Sequence, residues 1–126
     1  MRKYPLSCSQ TPIDILKLDI EEWEWRVLPQ LISGPEGGSA PGELHQVQQL
    51  LMELHACKGC SQWKADAKRQ PSRLLLLQAL AIFHDLHKLG FRIFWTQPNQ
   101  ACRYVSRFDL VEKSACHHVH MVKLRS

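Results

Sequence analysis

No run of this chain is long and apolar enough to cross a bilayer, and no stretch forms a secretory signal. The greasiest segment, Leu74 to Phe83, falls well short of the about 20 apolar residues that a spanning helix requires. His84, Asp85, His87 and Lys88 follow it at once. Met1 to Gln10 carries Arg2 and Lys3 but lacks an apolar core of the signal type. Charge of one sign is also scarce, with a net charge of only +4. The basic residues Arg69, Arg73, Lys88, Arg92, Arg103, Arg107, Lys113, Lys123 and Arg125 are scattered, not striped, so no nucleic-acid partner is expected. Of six glycines, four fall between Ser33 and Gly42. No Gly-x-Gly-x-x-Gly or related acidic, glycine-rich turn follows an apolar strand pattern. Five cysteines (Cys8, Cys57, Cys60, Cys102 and Cys116), an odd number without a signal, read as reduced thiols and give a cytosolic default.

What is present is ordinary for one domain: 126 residues, 44% apolar. The most informative stretch is Ile13 to Trp25. Ile13, Ile15, Leu16, Leu18 and Ile20 make an apolar run that ends in Asp19, Glu21, Glu22 and Glu24. Trp23, Val27, Leu28 and Leu31 then recur at helical spacing. A buried parallel strand feeding a helix has this pattern, with carboxylates left on the strand's C-terminal rim. In open α/β sheets that rim binds ligands. Asp19 and Glu21, two apart, share a face if the backbone stays extended. A second reading is equally open, because acids in a helix's first turn favour its dipole without any ligand.

Residues 1–11 read as a disordered leader and 12–126 as one unit. The first strand spans 13 to 20, and a helix from Glu22 to Ile32 follows, with Pro29 expected to kink it or end it about a turn early. Residues 33–42 form a flexible loop rich in glycine, proline and serine. Val47 to Leu54 is a second strand, and Arg73 to Leu89 the clearest helix, with Leu76, Leu77, Leu80, Phe83 and Leu86 on its apolar face and Gly90 beyond its end. Phe91 to Thr96 is a third strand, Cys102 to Leu110 is irregular or weakly extended, and Cys116 to Leu124 closes the chain as a strand. The Trp23, Trp25 and Trp95 rings and the leucines from Leu74 read as core. The order is consistent with half of a doubly wound sheet that ends in an antiparallel pair.

Lys17-x-Asp19-x-Glu21-Glu22-x-Glu24-Trp25 resembles the Lys-x-Asp-x-Glu-Gly-x-Glu-Trp segment of the FkbM-related and methyltransferase-like proteins. The resemblance continues at Gln49 to His55, like the family's strand ending in Glu-x-His. It extends through Leu89-Gly90-Phe91-Arg92-Ile93-Phe94 to the final strand at Cys116 to Val122. It covers about nine tenths of the chain but only the C-terminal half of the family's domain. The departure is Glu22 in place of glycine; if that glycine uses positive φ, glutamate strains the turn.

The resemblance implies a partial Rossmann-like class I methyltransferase sheet that uses S-adenosylmethionine in the complete domain, with transfer to an oxygen. For this chain alone no cofactor binding is expected, since the glycine-rich turn and the ribose-binding acid are missing. Asp19, Glu21, Glu53 and His55 are the candidate catalytic residues. A rim carboxylate would position the acceptor or act as base, and His55 has the right ordinary pKa to accept a proton.

No metal ligand set is assigned. His55-x-Cys57-x-x-Cys60 together with Cys116-His117-His118-Val119-His120 supplies zinc-type residues without finger-like spacing, so a zinc-stabilised module stays an alternative. A non-catalytic interaction protein is the other. In the half-domain arrangement the strand 13–20 lacks one of the family's flanking strands and would pair with another chain or a second copy.

Overall fold

Apolar residues at alternate positions and at helical spacing build a mixed α/β arrangement with one four-stranded sheet and two helices. The computed structural model describes residues 11–34, 41–58, 60, 65 and 67–124. Most of the expected leader and the middle of the 33–42 loop lie outside the described residues. Strand β1 (Ile13–Leu18) runs parallel to β2 (Val47–His55), with Leu16 opposite Leu50 and Leu18 opposite Met52. Helix α1 (Glu24–Ser33) and a short 3-10 turn at Glu43–Gln46 lie between them in sequence. Helix α2 (Arg73–Lys88) leads to β3 (Phe91–Pro98). The last strand of the sheet, β6 (Cys116–Lys123), inserts antiparallel between β2 and β3. The sheet order is therefore β1-β2-β6-β3, with β1 and β3 at the edges.

Both helices pack on one face. Leu18, Leu50, Met52, Leu54, Val119 and Met121 point there and meet Leu28, Ile32, Ile82 and Leu86 in one core. Because side chains alternate along a strand, Lys17, Leu51, Glu53, His118 and His120 turn to the opposite face. With Trp95 and Gln97 they line a shallow open pocket of about 260 Å³.

Several elements differ from the sequence reading. Helix α1 runs through Pro29 to Ser33 and does not end early. Its buried stripe is Trp25, Leu28 and Ile32, while Trp23 belongs to the preceding turn and is exposed. Trp95 is exposed too, stacked on His120 at 4.4 Å between ring centroids, so of those three tryptophans only Trp25 is core. In α2 the stripe is Leu75, Ala79, Ile82 and Leu86, and Leu76, Leu77 and Leu80 face outward. The stretch read as irregular or weakly extended opens a small hairpin. It pairs β4 (Arg103–Val105) with β5 (Glu112–Ser114), and Arg103 forms an ion pair with Glu112. Gly90 does sit past α2 at φ +100°, where the chain turns back into β3. Gly42 is needed for a different reason: an added Cβ would run into the Leu31 carbonyl.

The cysteines correct the thiol reading. Cys57 is bridged to Cys60 and Cys102 to Cys116, each with a Cα–Cα distance of 5.6 Å, inside the range a disulfide spans. The β4–β5 hairpin folds the chain back so that Cys102 meets the start of β6. Counting cysteines cannot reveal that proximity, and the cytosolic default loses its basis with the free thiols.

Candidate functional site

Strand β1 stops at Leu18, so Asp19 is the first residue beyond its carboxyl end. The chain then reverses through Ile20–Trp23, closed by a bond from the Trp23 N–H to the Ile20 carbonyl at 3.2 Å. Its two central residues, Glu21 and Glu22, have φ of +43° and +73°. The position where the resembling family has glycine thus adopts the conformation that favours glycine. Asp19 and Glu21 do not share a strand face, because neither is in the strand. Glu21 and Glu22 line the same cleft as Asp19.

The turn delivers Glu24 and Trp25 onto the end of β2. Glu24 is fully buried. Its Oε1 accepts from the His55 backbone N–H at 2.7 Å and from His55 Nδ1 at 2.8 Å. The Trp25 indole donates to the His55 carbonyl at 2.8 Å. Three bonds therefore fix His55 in place. A carboxylate can only accept, so Nδ1 carries a proton and Nε2 is the nitrogen left toward the cleft. The bond to Glu24 raises the His55 pKa above the usual histidine value. Burial opposes it, while the charges of Glu24, Glu53 and Asp19 add to it.

Glu53, two residues earlier on β2 and on the face opposite the helices, is 8% exposed. Asn99 Nδ2 donates to its Oε1 at 2.9 Å. His55 Nε2 lies 3.2 Å from the same oxygen, and His118 Nδ1 lies 3.6 Å from the other. Ligand atoms of Asp19, Glu53 and His55 all fall within 4.8 Å of one another. Three of the four expected site residues are thus brought together, with Glu21 at the rim of the same cleft. That cleft encloses about 440 Å³ and is also lined by both disulfides and Asn99.

The zinc set is not assembled. Cys57, Cys60 and Cys116 are held in disulfides and offer no thiolate. His118 and His120 line the adjoining pocket beside Trp95, which shares Asp19 and Glu53 with the cleft. His117 lies on the other side of β6, where burial lowers its pKa. Glu24, Asn99 and His118 were not singled out as site residues from sequence. No local pattern marks them: Glu24 pairs with His55 31 residues away, and Asn99 with Glu53 46 residues away. No protein-family model matches the chain, and neither does any curated protein or solved structure.

Proposed function

We propose that the chain is the later half of a class I, FkbM-like S-adenosylmethionine-dependent methyltransferase domain, the half that carries the acceptor side of the site. The observation that carries this reading is the strand order. Parallel β1 and β2 are each followed by a helix, and β6 runs antiparallel between β2 and β3. The terminal antiparallel pair that the family resemblance implies takes this form. Ligands of such sheets bind beyond the carboxyl ends of the parallel strands, and Asp19, Glu53 and His55 stand at those ends.

In this reading the cleft admits an acceptor hydroxyl. His55, oriented through Nδ1 by Glu24, accepts the hydroxyl proton at Nε2. Asp19 and Glu21 position the acceptor from the rim. The turn after β1 holds no glycine and presents two glutamates at positive φ. These residues do not fit a cofactor cradle, so in this reading S-adenosylmethionine is held by the preceding half of the domain. The two disulfides favour an oxidising compartment. A second reading, a non-catalytic pairing module, is favoured by the exposed Ile13 and Ile15 on the edge strand β1.

The test is the native polypeptide. Material captured from its source with an antibody raised against residues 73–88 is sequenced from its N-terminus and titrated with S-adenosylmethionine by calorimetry. A chain extended before Met1 by further strands, binding the cofactor, is expected. A native chain that begins at Met1 and ignores the cofactor overturns the enzymatic reading.

A further inference from the structure

We infer that Asp19, Glu53 and His55 form a binding site for a divalent transition-metal ion of the manganese-to-zinc series. The three ligand atoms lie within 4.8 Å of one another, and the His55 Nε2 to Glu53 Oε1 separation is 3.2 Å. An ion with bonds of about 2.0–2.2 Å to nitrogen and oxygen holds its ligand atoms roughly 3–4.4 Å apart, so small side-chain rotations complete the set.

The state of the imidazole is a second, independent feature. Glu24 occupies Nδ1 and leaves Nε2 toward the carboxylates. Metal-bound histidines are oriented in this way, with the far nitrogen donating to a carboxylate that fixes the tautomer and raises ligand basicity. Glu24 is fully buried, and its Oε2 has no hydrogen-bond partner. A buried carboxylate is costly; this one makes both of its bonds to His55.

Charge points the same way. Glu24, Glu53 and Asp19 surround one imidazole, and even an imidazolium leaves two negative charges uncompensated. A divalent ion in place of the proton on Nε2 reduces that imbalance to one. Asn99 donates to the Glu53 oxygen that faces His55, and His118 lies beside the other, so both orient Glu53. The cleft leaves room for water or an oxygen ligand in the remaining coordination positions.

The donor set selects the class of ion. One imidazole with two carboxylates suits manganese, iron, cobalt or zinc, whereas calcium and magnesium prefer oxygen alone. No thiolate is offered by Cys57, Cys60, Cys102 or Cys116, which excludes a soft-metal site built on them. The ion and a proton compete for Nε2, so a loaded site is not one in which His55 acts as a base. The inference therefore stands apart from the methyl-transfer reading and is tested without any acceptor or cofactor.

The experiment titrates the purified chain with zinc chloride by calorimetry and with manganese chloride by electron paramagnetic resonance, with magnesium as competitor. One equivalent of either metal is expected to bind, undisplaced by equal magnesium. Asp19→Asn, at an exposed position, should abolish stoichiometric binding while leaving the circular dichroism unchanged, and Glu53→Gln should do the same. Glu24→Gln should weaken binding about 10–100-fold through His55. His120→Ala, which touches none of the three ligands, should still bind one equivalent. Absence of saturable binding overturns the site. So does binding that survives Asp19→Asn and Glu53→Gln but is lost with His120→Ala.

Discussion

Replacing Glu22 with glycine should stabilise this fold, although it removes a side chain and adds none. Glu21 and Glu22 are the central residues of the turn between β1 and α1, at φ +43° and +73°. Positive φ at both central positions is the signature of a type I′ turn, usually built from Asn-Gly. A side chain in the left-handed region costs roughly 1–2 kcal/mol. Glycine gives back about 0.4–1 kcal/mol of that through the greater freedom of the unfolded chain. The net gain is about 0.5–1 kcal/mol. With an unfolding entropy near 2.1 cal/mol/K per residue over a chain of this size, that gain raises Tm by about 2–4 °C. Losing one acid beside Asp19 and Glu53 also relieves repulsion, so Glu22→Ala is the necessary control: it removes the charge and keeps the backbone strain. Thermal melts followed by circular dichroism give the comparison. If Glu22→Ala stabilises as much as Glu22→Gly, or if neither does, the backbone argument is wrong.

Replacing both Cys102 and Cys116 by serine should lower stability by about 3 kcal/mol, from the loop of their sequence separation of 14; wild type melted in reductant, which also opens Cys57–Cys60, should fall at least as far, and an unshifted Tm in the double variant would mean the bridge does not form. Trp25→Phe should cost about 1–3 kcal/mol, because the His55 carbonyl loses the indole donor in a partly buried setting; a denaturant midpoint within error of wild type would show that water replaces it. Ile15→Lys, on the exposed side of the edge strand β1, should shift the chain toward monomer in sedimentation at micromolar concentration. A wild type that is monomeric throughout that range removes the pairing argument.

How much of this was legible depended on whether a residue's partner lay nearby in sequence. Strands β1 and β2 were readable as apolar runs, β3 by its aromatic and β-branched residues, and β6 by its alternation. The phase of α2 was not. Leu74 to Leu77 are four consecutive leucines, so any helical register finds an apolar face. The sheet chose Leu75, Ala79, Ile82 and Leu86. Strands β4 and β5 have three residues each, too few for a period to register. The Cys102–Cys116 bridge, which depends on their hairpin, was hidden with them. Asp19, Glu53 and His55 could be found because strand ends are recognisable. Glu24 could not, since an acid in a helix's first turn has a sufficient local explanation in the dipole. Its actual partner is 31 residues away.

That distant partner explains why the strained turn persists. Between the end of β1 at Leu18 and the start of α1 at Glu24 only five residues are available to reverse the chain. A turn with two left-handed residues makes the reversal and sets Glu24 and Trp25 against His55. The strain is roughly 1–2 kcal/mol per left-handed residue. Two hydrogen bonds to a carboxylate contribute about 1.5–3 kcal/mol each, and a neutral indole bond about 0.5–1.5. The clamp on His55 thus outweighs the turn that creates it, even with glutamate where glycine would be easier. Strain in the turn and order in the imidazole are therefore two sides of one arrangement. A turn relaxed toward ordinary φ would carry Glu24 away from His55 and free the ring that the cleft depends on.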